Sequence, residues 1–350
     1  MNNPRPAKQE ILRLLALTDK QEIQDLFQQA YAVKKQYVGT KVYFRGIIEL
    51  SNYCVKNCYY CGIRKDNPHV QRFTLCKDEV VESALWAFKQ DYGSVVIQSG
   101  ERSDEAFTEF IEDILYTLKE KTGGKLGITL SLGEQSRETY QRWYSAGAHR
   151  YLLRIETSNP ELYKKLHPAD HDWQQRLNCL RTMKDIGYQA GTGVMIGLPF
   201  QSLEHLADDV LFFYDEDIDM IGMGPYIPHE ETPLYQYATD YKEEEHLELA
   251  LKMIAICRLL LKDVNIASTT ALQALKDDGR ELGLLAGANI IMPNITDTKY
   301  RANYQLYQGK PCLDENASLC RGCLERRISA IGEQIGYSEW GDSPHFVHKG

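Results

Sequence analysis

Four features are missing from this sequence of 350 residues, and each absence excludes a class of protein. The first ten residues, Met1–Glu10, have no apolar core of the kind that a signal peptide carries. No uninterrupted apolar run approaches the length of a membrane span, and no basic block offsets the formal net charge of −9. No Gly/Ser-rich linker or low-complexity tract divides the chain. We therefore expect one cytoplasmic domain with tails that binds neither membranes nor nucleic acid.

The composition permits a large enzyme-like core. Hydrophobic residues make up 43% of the chain and charged residues 25%, which is ordinary for a globular protein in water. The length suits one barrel of about 250 residues with extensions. The nine cysteines of a chain without an export signal indicate a reducing compartment and thiols used for metal binding or redox chemistry.

The most informative stretch is the loop Cys54–Cys61, which places Cys54, Cys58 and Cys61 in the spacing Cys-x3-Cys-x2-Cys. Three soft ligands on one short loop can hold a 4Fe-4S cluster and leave its fourth iron free to bind another molecule. A structural zinc site is the alternative, with His69 or a distant cysteine as fourth ligand, although only half of the usual tandem Cys-x2-Cys pattern is present. A disulfide is disfavoured because three cysteines cannot pair among themselves.

Short β-rich runs alternate with amphipathic helical patterns from Lys41 onward. The predicted strands are Val42–Leu50, Ser94–Ser99, Leu126–Leu132, Arg150–Glu156, Gly191–Ile196, Met220–Tyr226, Asn265–Thr270 and Asn289–Pro293. Eight such units predict an α/β fold, a complete (βα)8 barrel of the TIM type, rather than an open doubly wound sheet.

The two ends of the chain lie outside this alternation. Residues from about Ala7 to Tyr37 predict two amphipathic helices, the second beginning at the capping box Thr18–Gln21. They would cap the bottom of the barrel, or equally form a helix pair that docks a partner. The predicted organisation is a helical cap over residues 1–40, the barrel over 41–310, and a cysteine-bearing C-terminal extension over 311–350.

Catalytic groups of a barrel project from the C-terminal ends of its strands. The second predicted strand runs into Gln98-Ser99-Gly100-Glu101, where the glycine lets backbone approach a ligand and the glutamate could accept a bond from an ammonium group. The alternative is an ordinary loop.

The fourth predicted strand carries charge where a parallel strand is usually apolar on both faces. Period-two alternation places Arg154 and Glu156 on one face, in the barrel mouth, where burial is costly without a partner. They could form a structural ion pair between strands. In the functional interpretation, Glu156 bonds ribose hydroxyls and Arg154 or Arg176 binds a carboxylate through both guanidinium N–H groups.

Hydroxyl groups also cluster at predicted strand ends. Thr129 shares a face with Ser131 on the third strand, and Ser268 shares one with Thr270 on the seventh. They could bond backbone, but together they suit a small polar ligand.

A second group of cysteines, Cys312, Cys320 and Cys323, lies near the C-terminus. Its spacing, Cys-x7-Cys-x2-Cys, indicates a second iron–sulfur cluster of the 2Fe-2S type, or zinc. The remaining cysteines (Cys76, Cys179 and Cys257) are interpreted as small buried apolar residues.

The loop Cys54–Cys61 resembles the signature of the radical S-adenosylmethionine (SAM) superfamily, including the aromatic Tyr60 before the last cysteine. In that superfamily the open iron binds the amino and carboxylate groups of SAM, and an electron from the cluster cleaves its sulfonium. The tripeptide that ends in Glu101 resembles the Gly-Gly-Glu element that holds the SAM amino group, with Ser99 in place of the first glycine.

Across nearly its whole length the chain is similar to the HydE family, the radical SAM maturases of FeFe-hydrogenase. The matching stretches include Cys54–Cys61, Gln98–Glu101, Thr129–Glu134, Tyr151–Thr157, Arg176–Cys179, Gly222–Pro228, Ser268–Thr270, Ile291–Asn294 and Tyr304. The resemblance implies that a 5′-deoxyadenosyl radical acts on a small, cysteine-containing iron–carbonyl–cyanide complex. It implies three partners: the HydG maturase as source of that complex, the HydF scaffold as recipient of the product, and an electron donor.

The resemblance also implies two sets of site residues in the barrel. The residues implied for SAM are Tyr60, Gly100, Glu101, Ser131, Glu156 and Arg176. The residues implied for the substrate are Gln98, Thr129, Arg154, Thr269, Thr270 and Tyr304.

Three rival functions share much of this pattern. Biotin synthase holds an auxiliary cluster on cysteines inside its barrel, and the third to fifth predicted strands here have none. Methylornithine synthase is closer in layout but usually lacks the terminal cysteines, which are not universal among HydE proteins either. A non-catalytic iron–sulfur scaffold or carrier is the alternative of another class.

Overall fold

The computed structural model describes residues 5–314 and 317–349, without the side chains of Leu319 and Cys320. Its strands are β1 (Lys41–Ser51), β2 (Ser94–Ser99), β3 (Gly127–Ser131), β4 (Arg150–Leu152), β5 (Gln189–Thr192), β6 (Met195–Ile196), β7 (Met220–Ile221), β8 (Gly224–Pro225), β9 (Asn265–Ser268), β10 (Ile290–Ile291) and β11 (Gln334–Ile335). Eight of them form a parallel barrel in the order β1-β2-β3-β4-β5-β7-β9-β10.

The barrel closes because β10 pairs back onto β1, with Tyr43 opposite Ile290 and Phe44 opposite Ile291. The predicted (βα)8 barrel is therefore confirmed, and each of the eight predicted runs supplies one barrel strand. Two predicted strands, Gly191–Ile196 and Met220–Tyr226, are each broken into two short strands. The break lies where Gly193 contacts Gly222 of the neighbouring strand, because a Cβ on Gly193 would be 2.1 Å from the carbonyl oxygen of Gly222. Beyond this close approach the two runs pair again as β6 and β8.

Helices follow the strands around the barrel. They are α3 (Lys77–Lys89), α4 (Glu105–Thr122), α5 (Arg137–Ala146), α6 (Pro160–Leu166), α7 (Trp173–Ile186), α8 (Leu203–Asp215), α9 (Glu243–Leu261), α10 (Thr270–Leu275), α11 (Gly279–Leu285), α12 (Thr298–Arg301), α13 (Ala317–Ala330) and α14 (Pro344–Val347), with a 3-10 turn at Pro233–Tyr237. Their apolar faces pack on the barrel; on α4, for example, Phe107, Ile111 and Leu118 are buried. In the described ranges, no helix has both the length and the apolar character that a bilayer crossing would require.

The N-terminal helices α1 (Lys8–Leu15) and α2 (Lys20–Tyr37) pack against the outer helices α8, α9 and α11. The predicted capping box beginning at Thr18 is wrong. Asp19 is the N-cap of α2, and its carboxylate accepts the backbone N–H groups of Gln21 and Glu22. A carboxylate at this position also interacts favourably with the positive end of the helix dipole.

The C-terminal segment closes the bottom of the barrel, where the strands begin. Strand β11 pairs with the first residues of β1. The buried Arg150 then donates to the carbonyl oxygen of Trp340 at 3.0 Å and pairs with Asp342 at 2.5 Å. Arg45, also buried, donates to the carbonyl oxygen of Gly341. The top of the barrel, where the strands end, is the face that carries the predicted site.

Candidate active site at the top of the barrel

The predicted cysteine loop follows β1 and lies against the loop that follows β2. The N–H of Glu101 donates to Cys54 Sγ at 3.3 Å, and the N–H of Val55 donates to the carbonyl oxygen of Glu101 at 2.9 Å. Gly100 allows this approach, because a Cβ on it would lie 2.2 Å from the carbonyl oxygen of Tyr53. Glycine was predicted here so that backbone could approach a ligand, and in the structure it lets two segments of the protein's own backbone approach each other.

The three thiols of this loop suit a cationic iron–sulfur cluster. Burial raises the pKa of Cys54, raises the pKa of Cys58 to about 12 and raises that of Cys61 well above its ordinary value. Cys58 is buried, and Cys54 and Cys61 are partly buried. Thiols with raised pKa values ionise readily only when a metal replaces their protons, and that chemistry fits the 4Fe-4S cluster predicted from the spacing.

A buried network of two carboxylates and two cations adjoins the loop. Lys56 Nζ lies 3.4 Å from Glu101 and 3.1 Å from Glu134, and Arg176 Nε lies 2.9 Å from Glu134. Glu101 also accepts the N–H of Glu134 at 3.0 Å. Burial, with Glu134 as a second cause, raises the pKa of Glu101. The network fixes the carboxylate that was predicted to hold an ammonium group.

Glu134 and Lys56 were not predicted as site residues. Both had a sequence signal, since Lys56 lies inside the cysteine motif and Glu134 ends one of the stretches that match the HydE family.

Strand β4 ends at Leu152, so the predicted strand Arg150–Glu156 is too long. Glu156 has a left-handed backbone, with φ of +66°, and its N–H donates to the carbonyl oxygen of Gly193 at 3.0 Å. This turn interrupts regular pairing. Leu153 and Ile155 are buried, and so is Glu156, so burial alone does not separate the two predicted faces here.

Arg154 and Glu156 form an ion pair, with Nη2 3.1 Å from Oε2, but they pair within the one segment that follows β4 and not between strands as the structural alternative had it. The same Nη2 donates to the carbonyl oxygen of Val194 at 2.9 Å. The pair is close but poorly aligned, so Glu156 Oε2 accepts no hydrogen bond from the residues that the structure describes. Burial raises the pKa of Glu156. Its free oxygen is therefore an acceptor that a ligand hydroxyl could satisfy.

The residues predicted to bind substrate divide into two levels of the barrel. Gln98 donates to the hydroxyl of Tyr304 at 3.3 Å near the top. Thr129 lies lower, is fully buried, and accepts from Arg150 Nε at 3.0 Å. Thr270 accepts from Arg280 Nη2 at 2.9 Å, whereas Thr269 Oγ1 is buried without a hydrogen bond to any described residue.

Three charged residues of the interior were not predicted. Lys310 Nζ contacts Glu49 and donates to the carbonyl oxygen of Tyr304 at 2.9 Å. Arg280 is 2% exposed, and its Nε and Nη1 have no hydrogen-bond partner within the described part of the chain. Glu49 had a signal, because it shares a face with Arg45 on a strand that is otherwise apolar. Arg280 and Lys310, on a short helix and in an irregular segment, had none.

Of the terminal cysteines, Cys312 lies beside α10 and Cys323 lies on α13. Cys312 has a left-handed backbone, and its carbonyl oxygen accepts from Arg301 at 2.9 Å. Cys312 and Cys323 are half-buried, and the side chain of Cys320 lies outside what the structure describes. The second cluster therefore stays a prediction.

The interpretation of the isolated cysteines is partly wrong. Cys179 and Cys257 are buried as predicted. Cys76 is exposed because it is the N-cap residue of α3, where its backbone N–H donates to Glu79 at 2.9 Å.

Comparison with known proteins identifies the family. The radical SAM superfamily matches residues 48–213. The FeFe-hydrogenase maturase subunit HydE of Thermotoga maritima is 44% identical over 338 residues, covering 96% of this chain and 94% of that protein.

Two solved structures share the whole fold. Methylornithine synthase (PylB) superposes with a TM-score of 0.80 at 25% identity, covering 95% of this chain and 94% of that one. The FeFe-hydrogenase maturase HydG from Carboxydothermus hydrogenoformans also gives a TM-score of 0.80, at 20% identity, covering 98% of this chain and 78% of that one. The latter likeness concerns the fold alone. The identity and coverage of the Thermotoga relative show that this chain is a radical SAM enzyme of the HydE family, which uses a 4Fe-4S cluster and SAM.

Proposed function

We propose that this enzyme acts in assembly of the FeFe-hydrogenase active site, on a small cysteine-containing iron–carbonyl–cyanide complex. The observation that carries the proposal is the set of charged and polar groups at the top of the barrel. The thiols and the network around Glu101 lie there, and the unpredicted cations Arg280 and Lys310 donate to the predicted substrate residues Thr270 and Tyr304. A cationic interior suits a substrate that bears a carboxylate and cyanide ligands.

The residues around Glu101 and Glu156 bind SAM in this proposal. When bound, the cluster and SAM supply the 5′-deoxyadenosyl radical. Glu101, held by Lys56 and Arg176, accepts the SAM ammonium group, and the free oxygen of Glu156 accepts a ribose hydroxyl. Tyr60, Gly100 and Ser131 complete this site by resemblance to the family. Burial of Glu101, Glu156 and Arg176 keeps water from the radical.

A second group of residues binds the substrate. Arg280 has two buried N–H groups with no described partner, which favours an anionic ligand because an unpaired buried charge is costly. Thr269, with its free hydroxyl, adjoins Gly224, and Gln98 and Tyr304 close the other side. The HydG maturase would supply the substrate, HydF would take the product, and an electron donor would reduce the cluster.

The experiment that tests the function combines reduced, reconstituted protein with SAM. We expect little 5′-deoxyadenosine from the enzyme alone and a marked increase when the product of HydG is added. The Cys58→Ala variant, which lacks one predicted cluster ligand, is the control and should form none. Equal stimulation by a lysine-like amino acid would favour a methylornithine synthase-like reaction, to which the PylB likeness points. Absence of 5′-deoxyadenosine under every condition would favour a non-catalytic carrier.

The terminal cysteines would hold a second cluster of the 2Fe-2S type. We predict that Cys323→Ala removes an iron signal that does not respond to SAM, while 5′-deoxyadenosine formation is largely retained. The reason is position, since Cys312 contacts Gln273 on α10, whereas the predicted SAM residues lie at the end of β3, in the segments that follow β1, β2 and β4, and on α7. Electron paramagnetic resonance with and without SAM measures the signal, and loss of 5′-deoxyadenosine formation in this variant would contradict a peripheral role.

A further inference from the structure

The segment Leu166–His171, between α6 and α7, makes three hydrogen bonds to the cysteine loop. The carbonyl oxygen of Leu166 accepts the N–H of Tyr59 at 2.9 Å. His171 Nε2 accepts the N–H of Asn57 at 3.1 Å. His167 Nε2 lies 3.1 Å from the hydroxyl of Tyr60. The three contacts fall on three positions between the first and last cysteine of the motif.

The other nitrogen of each histidine fixes the direction of these bonds. His167 Nδ1 lies 2.9 Å from the carbonyl oxygen of Tyr163, which can only accept, so Nδ1 carries the proton. His171 Nδ1 lies 2.8 Å from the carboxylate of Asp170, with the same consequence. Each Nε2 is then an acceptor, and the Tyr60 hydroxyl donates to the first of them.

Both rings are held rigidly. His167 and His171 are 2% and 7% exposed. The ring of Tyr163 stacks on that of His167, with centroids 3.8 Å apart and planes inclined by 22°. Burial lowers the pKa of both histidines, which keeps the rings neutral and preserves the acceptor nitrogens. A neutral histidine with a fixed tautomer is a directional acceptor.

We propose that Leu166–His171 is a histidine bracket, in which His167 and His171 are positioning residues that hold the cysteine loop in the shape that binds the cluster. The bracket acts through Asn57, Tyr59 and Tyr60, so neither histidine needs to touch iron or SAM. The inference rests on the proposed role of the loop as the cluster site. Residues that orient metal ligands in this way typically change metal affinity by about 10–100-fold when they are mutated.

The test removes the acceptors and keeps the aromatic rings. The double variant His167→Phe/His171→Phe should bind its cluster more weakly, and a chelator should remove iron about tenfold faster or more. In the apo-protein, hydrogen exchange at the backbone N–H groups of residues 57–60 should accelerate by a similar factor. In the double variant His167→Gln/His171→Gln the amide oxygens can accept the same hydrogen bonds. Its rates of iron loss and of hydrogen exchange should therefore be close to those of the wild type.

His149→Phe is the matched control. His149 also packs on an aromatic ring, that of Trp340, with ring centroids 4.4 Å apart and planes inclined by 34°. It also accepts a backbone N–H, from Ile128, but it lies at the bottom of the barrel. Its replacement should lower the melting temperature without altering exchange at residues 57–60. If the double Phe variant does not fold, Tyr60→Phe and His167→Phe should each accelerate iron loss, and their combination should add little.

Two results would overturn the bracket. One is a folded double Phe variant whose hydrogen-exchange and iron-release rates equal those of the wild type. The other is a His149→Phe control in which both rates rise as much as in the double variant. Failure of the cluster assignment is distinguishable, because the exchange measurement uses protein without iron. A loop that never binds a cluster would give no iron signal in wild type, yet its exchange rates would still report on the bracket.

Discussion

Two buried arginines, Arg258 and Arg280, differ in how many of their N–H groups have hydrogen-bond partners among the described residues. This difference indicates which of them is structural and which could bind a ligand. Arg258 is fully buried and donates to the carbonyl oxygens of Lys262, Val264 and Gly287 and to Asn289 Oδ1. Arg280 is buried to almost the same extent, yet two of its N–H groups have no partner among the described residues. The first guanidinium completes the fold, whereas the second has capacity left for a ligand.

We predict opposite effects for the same substitution at these two positions. Arg258→Gln should lower the free energy of unfolding by about 3 kcal/mol or more, because it leaves several buried carbonyl oxygens without donors. Arg280→Gln should change stability by less than about 1 kcal/mol and weaken substrate binding by roughly one to two factors of ten.

Urea unfolding and substrate-stimulated 5′-deoxyadenosine formation measure the two properties, with SAM affinity as the internal control. Strong destabilisation by Arg280→Gln, with substrate binding unchanged, would mean that this arginine is structural as well.

The sequence predicts some site residues and misses others for reasons that lie in side-chain geometry. The cysteines and Glu101 were found because a short-range spacing carries their chemistry. Arg280 was missed because it lies on α11, and the burial of its side chain depends on how that helix packs in the folded protein, which no local sequence pattern encodes. Arg154 shows a third case. Its place in the mouth followed from period-two alternation, but its pairing with Glu156 depends on a left-handed residue that no local pattern specified.

Element boundaries show the same division between local and tertiary causes. Strand β2 ends where the sequence predicts, because its apolar run is bounded by polar residues on both sides. The breaks after β5 and β7 were not predicted, since they arise where glycines of neighbouring strands meet. The start of α2 is displaced by one residue from the prediction, and this displacement can be tested.

Asp19 and Thr18 form a matched pair for that test. Asp19→Ala should lower the free energy of unfolding by about 1 kcal/mol, because it removes the acceptor for two N–H groups at the start of α2. Thr18→Ala should change it by less than about 0.5 kcal/mol. Thermal or urea unfolding of the two single variants gives the comparison, and a larger loss for Thr18→Ala would restore the capping box that the structure contradicts.

On the scale of the whole molecule, the C-terminal tail ties the bottom of the barrel together. Asp342 neutralises one of two buried arginines inside the barrel, Arg150. Three residues later, His345 lies 2.8 Å from Asp217 and 3.0 Å from Asp263, which follow α8 and α9. Residues distant in sequence thus meet at one end of the barrel, and no local pattern predicted that meeting.

The tail gives folding stability a defined pH dependence. Hydrogen bonds to Asp217 and Asp263 outweigh burial and raise the pKa of His345 to about 9 from an ordinary value of 6.5. A group whose pKa is higher in the folded than in the unfolded state stabilises fully below the unfolded pKa and loses its effect as the pH rises through the folded one. The stabilisation should therefore be complete at pH 6 and disappear between pH 6.5 and about 9.

We predict that His345→Gln lowers the free energy of unfolding at pH 6 by about 2 kcal/mol, because solvent around the partly exposed ring screens its ion pairs and reduces the energy that a pKa rise from 6.5 to about 9 would otherwise give. The difference from wild type should shrink as the pH rises and approach the cost of the lost neutral hydrogen bonds near pH 9.5, about 1 kcal/mol. Comparing the two proteins at each pH removes the contribution of titrating groups that do not interact with His345. Urea unfolding at pH 6, 7.5 and 9.5 gives the three points. A difference that is constant across them would mean that His345 holds the tail by contact alone and that its charge does not stabilise the barrel.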